Sequence, residues 1–102
     1  MAIIEYCELL TEMKRFVISN QLLKAGTSIG ANVFEAQSAE SRADFIHKIK
    51  IASKECFETS YWLLLCQQSK SYPTVDKLLS QLSSIQKVLS KIILTSKSNT
   101  IK

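Results

Sequence analysis

The sequence predicts an all-α domain: an antiparallel up-down four-helix bundle with a shortened first helix. Two observations carry that prediction. The 102 residues hold one proline, Pro73, and two glycines, Gly26 and Gly30, and a β-rich chain of this size needs more turn formers. Apolar residues also recur at three- and four-residue spacing in four segments parted by short polar breaks, the period of a helix with one buried face. One domain with a modest core is expected at this length.

The first helix is expected over residues 3–13. Ile3, Tyr6, Cys7, Leu10 and Met13 make its apolar stripe, with Glu5, Glu8 and Glu12 opposite. So short a helix is marginal alone and must be held by tertiary contacts.

The second helix is expected over residues 15–37, with Ile18, Leu22, Ala25, Ile29 and Val33 in register. It contains the small-residue run Ala25-Gly26-Thr27-Ser28-Ile29-Gly30-Ala31. Each interior glycine costs about 1 kcal/mol relative to alanine, a loss that close approach of another helix at Gly26 and Gly30 would offset. The alternative is that a glycine ends the helix and a loop follows; the apolar period, which continues to Val33, favours a continuous helix. Asn32, between Ile29 and Val33, is expected at the core edge, where a hydrogen-bonded amide can set the register between helices. Glu35 is expected to pair with a lysine of the third helix.

Ser41-Arg42-Ala43-Asp44 has the form of a capping box, so the third helix is expected over residues 42–69. Phe45, Ile49, Ala52, Cys56 and Leu63 form one apolar stripe, and Ile46, Ser53, Phe57, Tyr61 and Leu64 flank it. So wide an apolar arc predicts contact from more than one side. Pro73 disfavours helix at Tyr72. Thr74 is then the expected N-cap of a fourth helix over residues 75–95, with Asp76 in its first turn. Leu78, Leu82, Ile85, Leu89 and Ile92 form its stripe, and residues 96–102 are expected to be a frayed polar tail. A short first helix beside three long ones leaves part of the core for another chain to cover.

Composition narrows the functional classes. The formal charge of +4 is uneven: residues 1–40 carry three bases against five acids, residues 41–72 five against three, and residues 73–102 five against one. No segment has the roughly 18 uncharged apolar residues of a membrane span, and the first residues lack the pattern of a signal peptide, so a cytoplasmic location is expected. Cys7, Cys56 and Cys66 have no CxxC spacing and no histidine neighbours. They are expected to be reduced and buried, with Cys56 and Cys66 turned to different faces by their ten-residue separation.

Catalytic chemistry has little to use. His47, the only histidine, is three residues from Asp44, and neither Ser41 nor Cys56 shares its face closely enough to be an activated nucleophile. A surface or interface role is expected for it. No metal-ligand spacing, Glu-x-x-His unit or phosphate-binding loop is present, so no catalytic residue, metal or cofactor is expected. The remaining chemistry is basic. Arg42, Lys48, Lys50 and Lys54 on the third helix, with Lys87 and Lys91 on the fourth, are the candidate contacts to RNA or DNA phosphates. Glu55 and Glu58 interrupt the first group, and exposed aromatics are not expected among them.

From Phe16 to Leu65 the residues also carry a resemblance. Gln21-Leu22-Leu23, Gly26-Thr27-Ser28-Ile29-Gly30-Ala31-Asn32, Glu35-Ala36 and Ala39-Glu40-Ser41 are followed by Asp44-Phe45-Ile46-His47-Lys48, Ile51-Ala52, Lys54-Glu55, Glu58-Thr59 and Tyr61-Trp62-Leu63. In order and spacing this half of the chain resembles the 23S rRNA intervening-sequence proteins. The resemblance implies a four-helix bundle, a ring-like homopentamer and no family-wide enzymatic activity. Some of these proteins are encoded within intervening sequences of bacterial large-subunit rRNA genes. A related group assists the reverse transcriptase of diversity-generating retroelements and binds nucleic acid through basic surfaces. The chain departs from the family at its start, where the segment before Tyr6-Cys7-Glu8-Leu9-Leu10 is shorter. The expected function is a non-enzymatic, homo-oligomeric accessory protein that binds RNA or DNA; the alternative is a protein-interaction scaffold.

Overall fold

A computed structural model of the protein describes residues 2–101, with side chains from 2 to 97. Four helices follow in order: α1 Ala2–Glu12, α2 Phe16–Ala36, α3 Arg42–Gln67 and α4 Asp76–Ile101. Among the described residues there is no strand. Each helix packs on the one before it, and the short connections make neighbours antiparallel.

The turn after α1 has no glycine to announce it. The Arg15 amide donates to the Leu10 carbonyl at 2.8 Å and the Lys14 amide to that of Thr11 at 2.9 Å, which together form a Schellman motif. Lys14 stands at its left-handed position, with φ 61°, where a side chain is strained and glycine is usual. α1 then lies against α2. The buried Ser19 hydroxyl donates to the Cys7 carbonyl at 2.9 Å, and Ile3 sits over Gly26. Tyr6 ties α1 to the α3–α4 connection by donating to the Pro73 carbonyl at 2.8 Å. Burial raises the proton affinity of Tyr6 above that of an ordinary phenol, which keeps the donor protonated.

α2 is continuous through both glycines, and the two differ. A Cβ on Gly26 would stand 2.7 Å from Ile3 Cγ2, whereas one on Gly30 would meet nothing within 4 Å. Helix contact therefore explains Gly26 and leaves Gly30, one turn farther, facing open space beyond the start of α1. Asn32 does not link helices. Its amide nitrogen donates to the Ser28 carbonyl of its own helix at 2.8 Å, because its side chain reaches the preceding turn before any neighbour.

Ser41 caps α3, accepting from the Asp44 amide at 3.0 Å. Ile49, Ala52, Cys56, Leu63 and Cys66 are buried along one face of α3. Cys56 and Cys66 thus share the core instead of facing apart, since α2 and α4 together bury a wide arc. All three cysteines are free and buried, and burial pushes the Cys7 thiol up to about 11. The flanking stripe behaves otherwise: Phe57, Tyr61 and Leu64 remain exposed.

α4 begins at Asp76, one residue later than expected. The Leu79 amide donates to the Val75 carbonyl at 2.9 Å, so Val75 holds the N-cap position and the Thr74 side chain makes no hydrogen bond among the described residues. Gln67 compensates in part, its Nε2 donating to Asp76 Oδ1 at 3.2 Å. At the other end α4 runs to Ile101, where a tail from Ser96 was expected; no glycine or proline interrupts this stretch. Lys102 lies outside the described residues.

Two substitution tests follow. Gly30→Ala is expected to raise stability by about 0.5–1 kcal/mol, because it gains helix propensity at no steric cost. Gly26→Ala is expected to lower it, because the stiff β-branched Ile3 must move; thermal unfolding of the pair checks the contrast. Lys14→Gly is expected to stabilise by about 1 kcal/mol through relief of the left-handed strain, measured as a shift in the urea midpoint at unchanged slope.

Candidate nucleic-acid interface

The six basic residues singled out in the sequence fall in three places. Arg42 and Lys48 are at the α2–α3 corner. There Lys48 Nζ is 3.4 Å from Glu35 Oε1, the pairing expected of Glu35, and Glu40 and Asp44 join Glu35 around the same shallow hollow. With three carboxylates about Lys48, this corner repels phosphate more than it attracts it.

Lys50 lies toward α4, and Lys54 is exposed one turn further along α3. Gln86 Nε2 of α4 donates to Ser53 Oγ at 2.6 Å; one turn before Ser53 on α3, Lys50 meets Lys97, which is about three turns beyond Gln86 on α4. The Lys97 ammonium lowers the proton affinity of the exposed Lys50, as a like charge must. Among the described residues Lys48–Glu35 is the one ion pair, so Lys50, Lys54 and Lys97 have no carboxylate partner. Sequence reasoning missed Lys97 by placing it in a frayed tail; the absence of a helix breaker after Thr95 was the signal.

Lys87 and Lys91 are exposed on α4. Lys91 stands at the lip of a groove of about 320 Å³ shared with Phe45, Val88, Ile92, Thr95 and Ser96. This groove continues the line of α1. The face of α4 toward α1 presents Lys77, Leu78 and Gln81, and then Ile85 and Val88, which are 40% and 57% exposed. Ile85, expected in the core, is exposed: the α4 residues that α1 borders are Thr74, Lys77, Leu78 and Gln81, one turn before it. Gly30 borders the same vacant line on α2.

The aromatics also depart from expectation. Phe57 is 63% and Tyr61 56% exposed, where both are expected in a flanking apolar stripe covered from a second side. They lie seven and eleven residues beyond Lys50, with Lys54 between, so the four share one stripe of the helix. Tyr61 also meets Trp62 edge to face, with ring centroids 5.3 Å apart.

Elsewhere the surface offers little chemistry. His47 is exposed, and Asp44 is engaged at the α3 cap, its carboxylate accepting from the Glu40 amide at 3.4 Å and its amide donating to the Ser41 hydroxyl at 3.0 Å. Among the described residues no three of His, Cys, Asp and Glu come together as metal ligands, and no helix is long and apolar enough to cross a membrane.

Comparison with known proteins agrees with this architecture. The crystal structure of a protein of unknown function from the S23 ribosomal protein family of Bacteroides thetaiotaomicron VPI-5482 is 44% identical, with a TM-score of 0.84. The likeness covers 90% of this chain and 88% of that one. No curated protein matches. The sequence model of one family spans residues 1–91, nearly the whole of the four helices, and the chain therefore belongs to the 23S rRNA-intervening sequence protein family.

Proposed function

We propose that this protein is a non-enzymatic, homo-oligomeric accessory protein of the bacterial cytoplasm that binds RNA or DNA through the face shared by α3 and α4. The observation that carries the reading is the approach of Lys97 to Lys50, with Lys54 one turn along the same stripe of α3, none of them in an ion pair among the described residues. Holding ammonium groups together is unfavourable, and a phosphate between them relieves the repulsion. Self-association multiplies the effect. Five chains of +4 each, the number the family resemblance implies, make a particle of +20, on which weak phosphate contacts act together.

The groove beyond α1 supports self-association. Exposed apolar area of this kind on a small protein marks an interaction surface, and Ile85 and Val88 supply it here. The rival reading is a protein-binding scaffold without a nucleic-acid role, and the exposure of Leu64 beside Phe57 and Tyr61 is the observation that favours it.

Fluorescence anisotropy with labelled structured RNA and duplex DNA tests the first reading. Binding that weakens steeply with salt is expected. Lys50→Glu and Lys54→Glu should each weaken binding and flatten the salt slope, whereas Lys48→Glu, whose charge is already paired, should change little. Absence of binding at low salt by the intact oligomer rejects the reading in favour of the scaffold. For self-association, light scattering should give a mass several times the 11.5 kDa chain. Val88→Asp in the open groove should reduce that mass while helical circular dichroism persists; a monomeric parent protein rejects the assembly.

A further inference from the structure

We infer that α3 carries a platform for single-stranded nucleic acid, on which Phe57 and Tyr61 stack against unpaired bases while Lys50, Lys54 and Lys97 meet the phosphates. This rests on the nucleic-acid reading above and says which form of nucleic acid the face selects. The stripe Lys50, Lys54, Phe57, Tyr61 extends over eleven residues, about 16 Å of helix, which is room for a few nucleotides. It passes from charge at one end to aromatic surface at the other.

Each half excludes a simpler occupant. Lysine alone would neutralise any phosphate backbone, duplex included. Two rings more than half exposed gain nothing from a duplex, whose bases already stack on each other. Unpaired bases offer free faces to aromatic side chains. A protein partner would cover the rings as readily, but the centres of protein interfaces are depleted of lysine, and here lysines run in line with the rings. The flank of α3 that faces α2 has no such stripe, since Lys48 is bound to Glu35 there. Glu58, one turn from Lys54, borders the stripe, which restricts the phosphate track to the α4 side where Lys97 stands.

The geometry also supplies a reporter. Trp62 is the only tryptophan, and its ring touches that of Tyr61, so a base arriving on Tyr61 perturbs Trp62 emission.

The test uses the full-length protein with fluorescein-labelled oligoadenylate and, separately, its duplex with oligouridylate at one salt concentration. Tighter binding to the single strand is expected, with a change in Trp62 fluorescence that the duplex does not produce. Phe57→Leu and Tyr61→Leu keep apolar bulk but remove the ring. Each should weaken single-strand binding about five-fold or more while leaving duplex binding unchanged, and Phe57→Trp should retain it. Lys50→Glu should weaken both. Equal affinity for strand and duplex, untouched by the ring variants, overturns the platform and leaves the broader reading standing. No binding to either overturns both. A fall in particle mass by light scattering in the leucine variants, without loss of single-strand affinity, also overturns it and assigns the rings to contacts between copies.

Discussion

The contact between Ile3 and Gly26 determines where α1 lies, and much of the remaining surface follows from it. A helix of eleven residues reaches about 16 Å, against about 39 Å for the twenty-six residues of α3. Anchored at Gly26 through Ile3 and, one turn on, by the Tyr6–Pro73 hydrogen bond, α1 covers the half of the bundle that holds the α3–α4 connection. Gly30, Ile85 and Val88 are the residues that lose a neighbour by this arrangement. Ile85 and Val88 are exposed although apolar, and a Cβ on Gly30 would meet open space.

The charges are sorted by the same packing. α3 is flanked by an acidic helix end on one side and a basic one on the other, so lysines two residues apart meet opposite fates. Lys48 turns toward Glu35 and is neutralised; Lys50 turns toward Lys97 and is not. Helical periodicity places them about 200° apart, and only the identity of each flanking helix gives that angle a meaning. The uneven charge along the sequence becomes a difference between two flanks of one helix.

Much of the fold was legible in advance because its signals are local. The Ser41 cap, the break at Pro73 and the continuity of α2 each depend on residues within one or two turns, and the ion pair of Glu35 needed only a short connection between antiparallel helices. The turn at Lys14 was located without its mechanism, because a left-handed lysine has no sequence signature. The candidate site was less legible. Phe57, Tyr61 and Ile85 carry a core-like pattern, and periodicity reports that a residue is apolar, not that a neighbour covers it. Asn32 was placed at the core edge, but its partner was a carbonyl four residues back.

The sequence by itself determined four helices, their order and their antiparallel sense, because helix periods, caps and breakers act over a few residues. The tertiary structure alone decided which apolar stripes are covered, which lysines keep an unpaired charge, and that Lys97 joins Lys50. Those outcomes depend on where residues some fifty positions apart come to lie, and that is set by helix length and packing at Gly26.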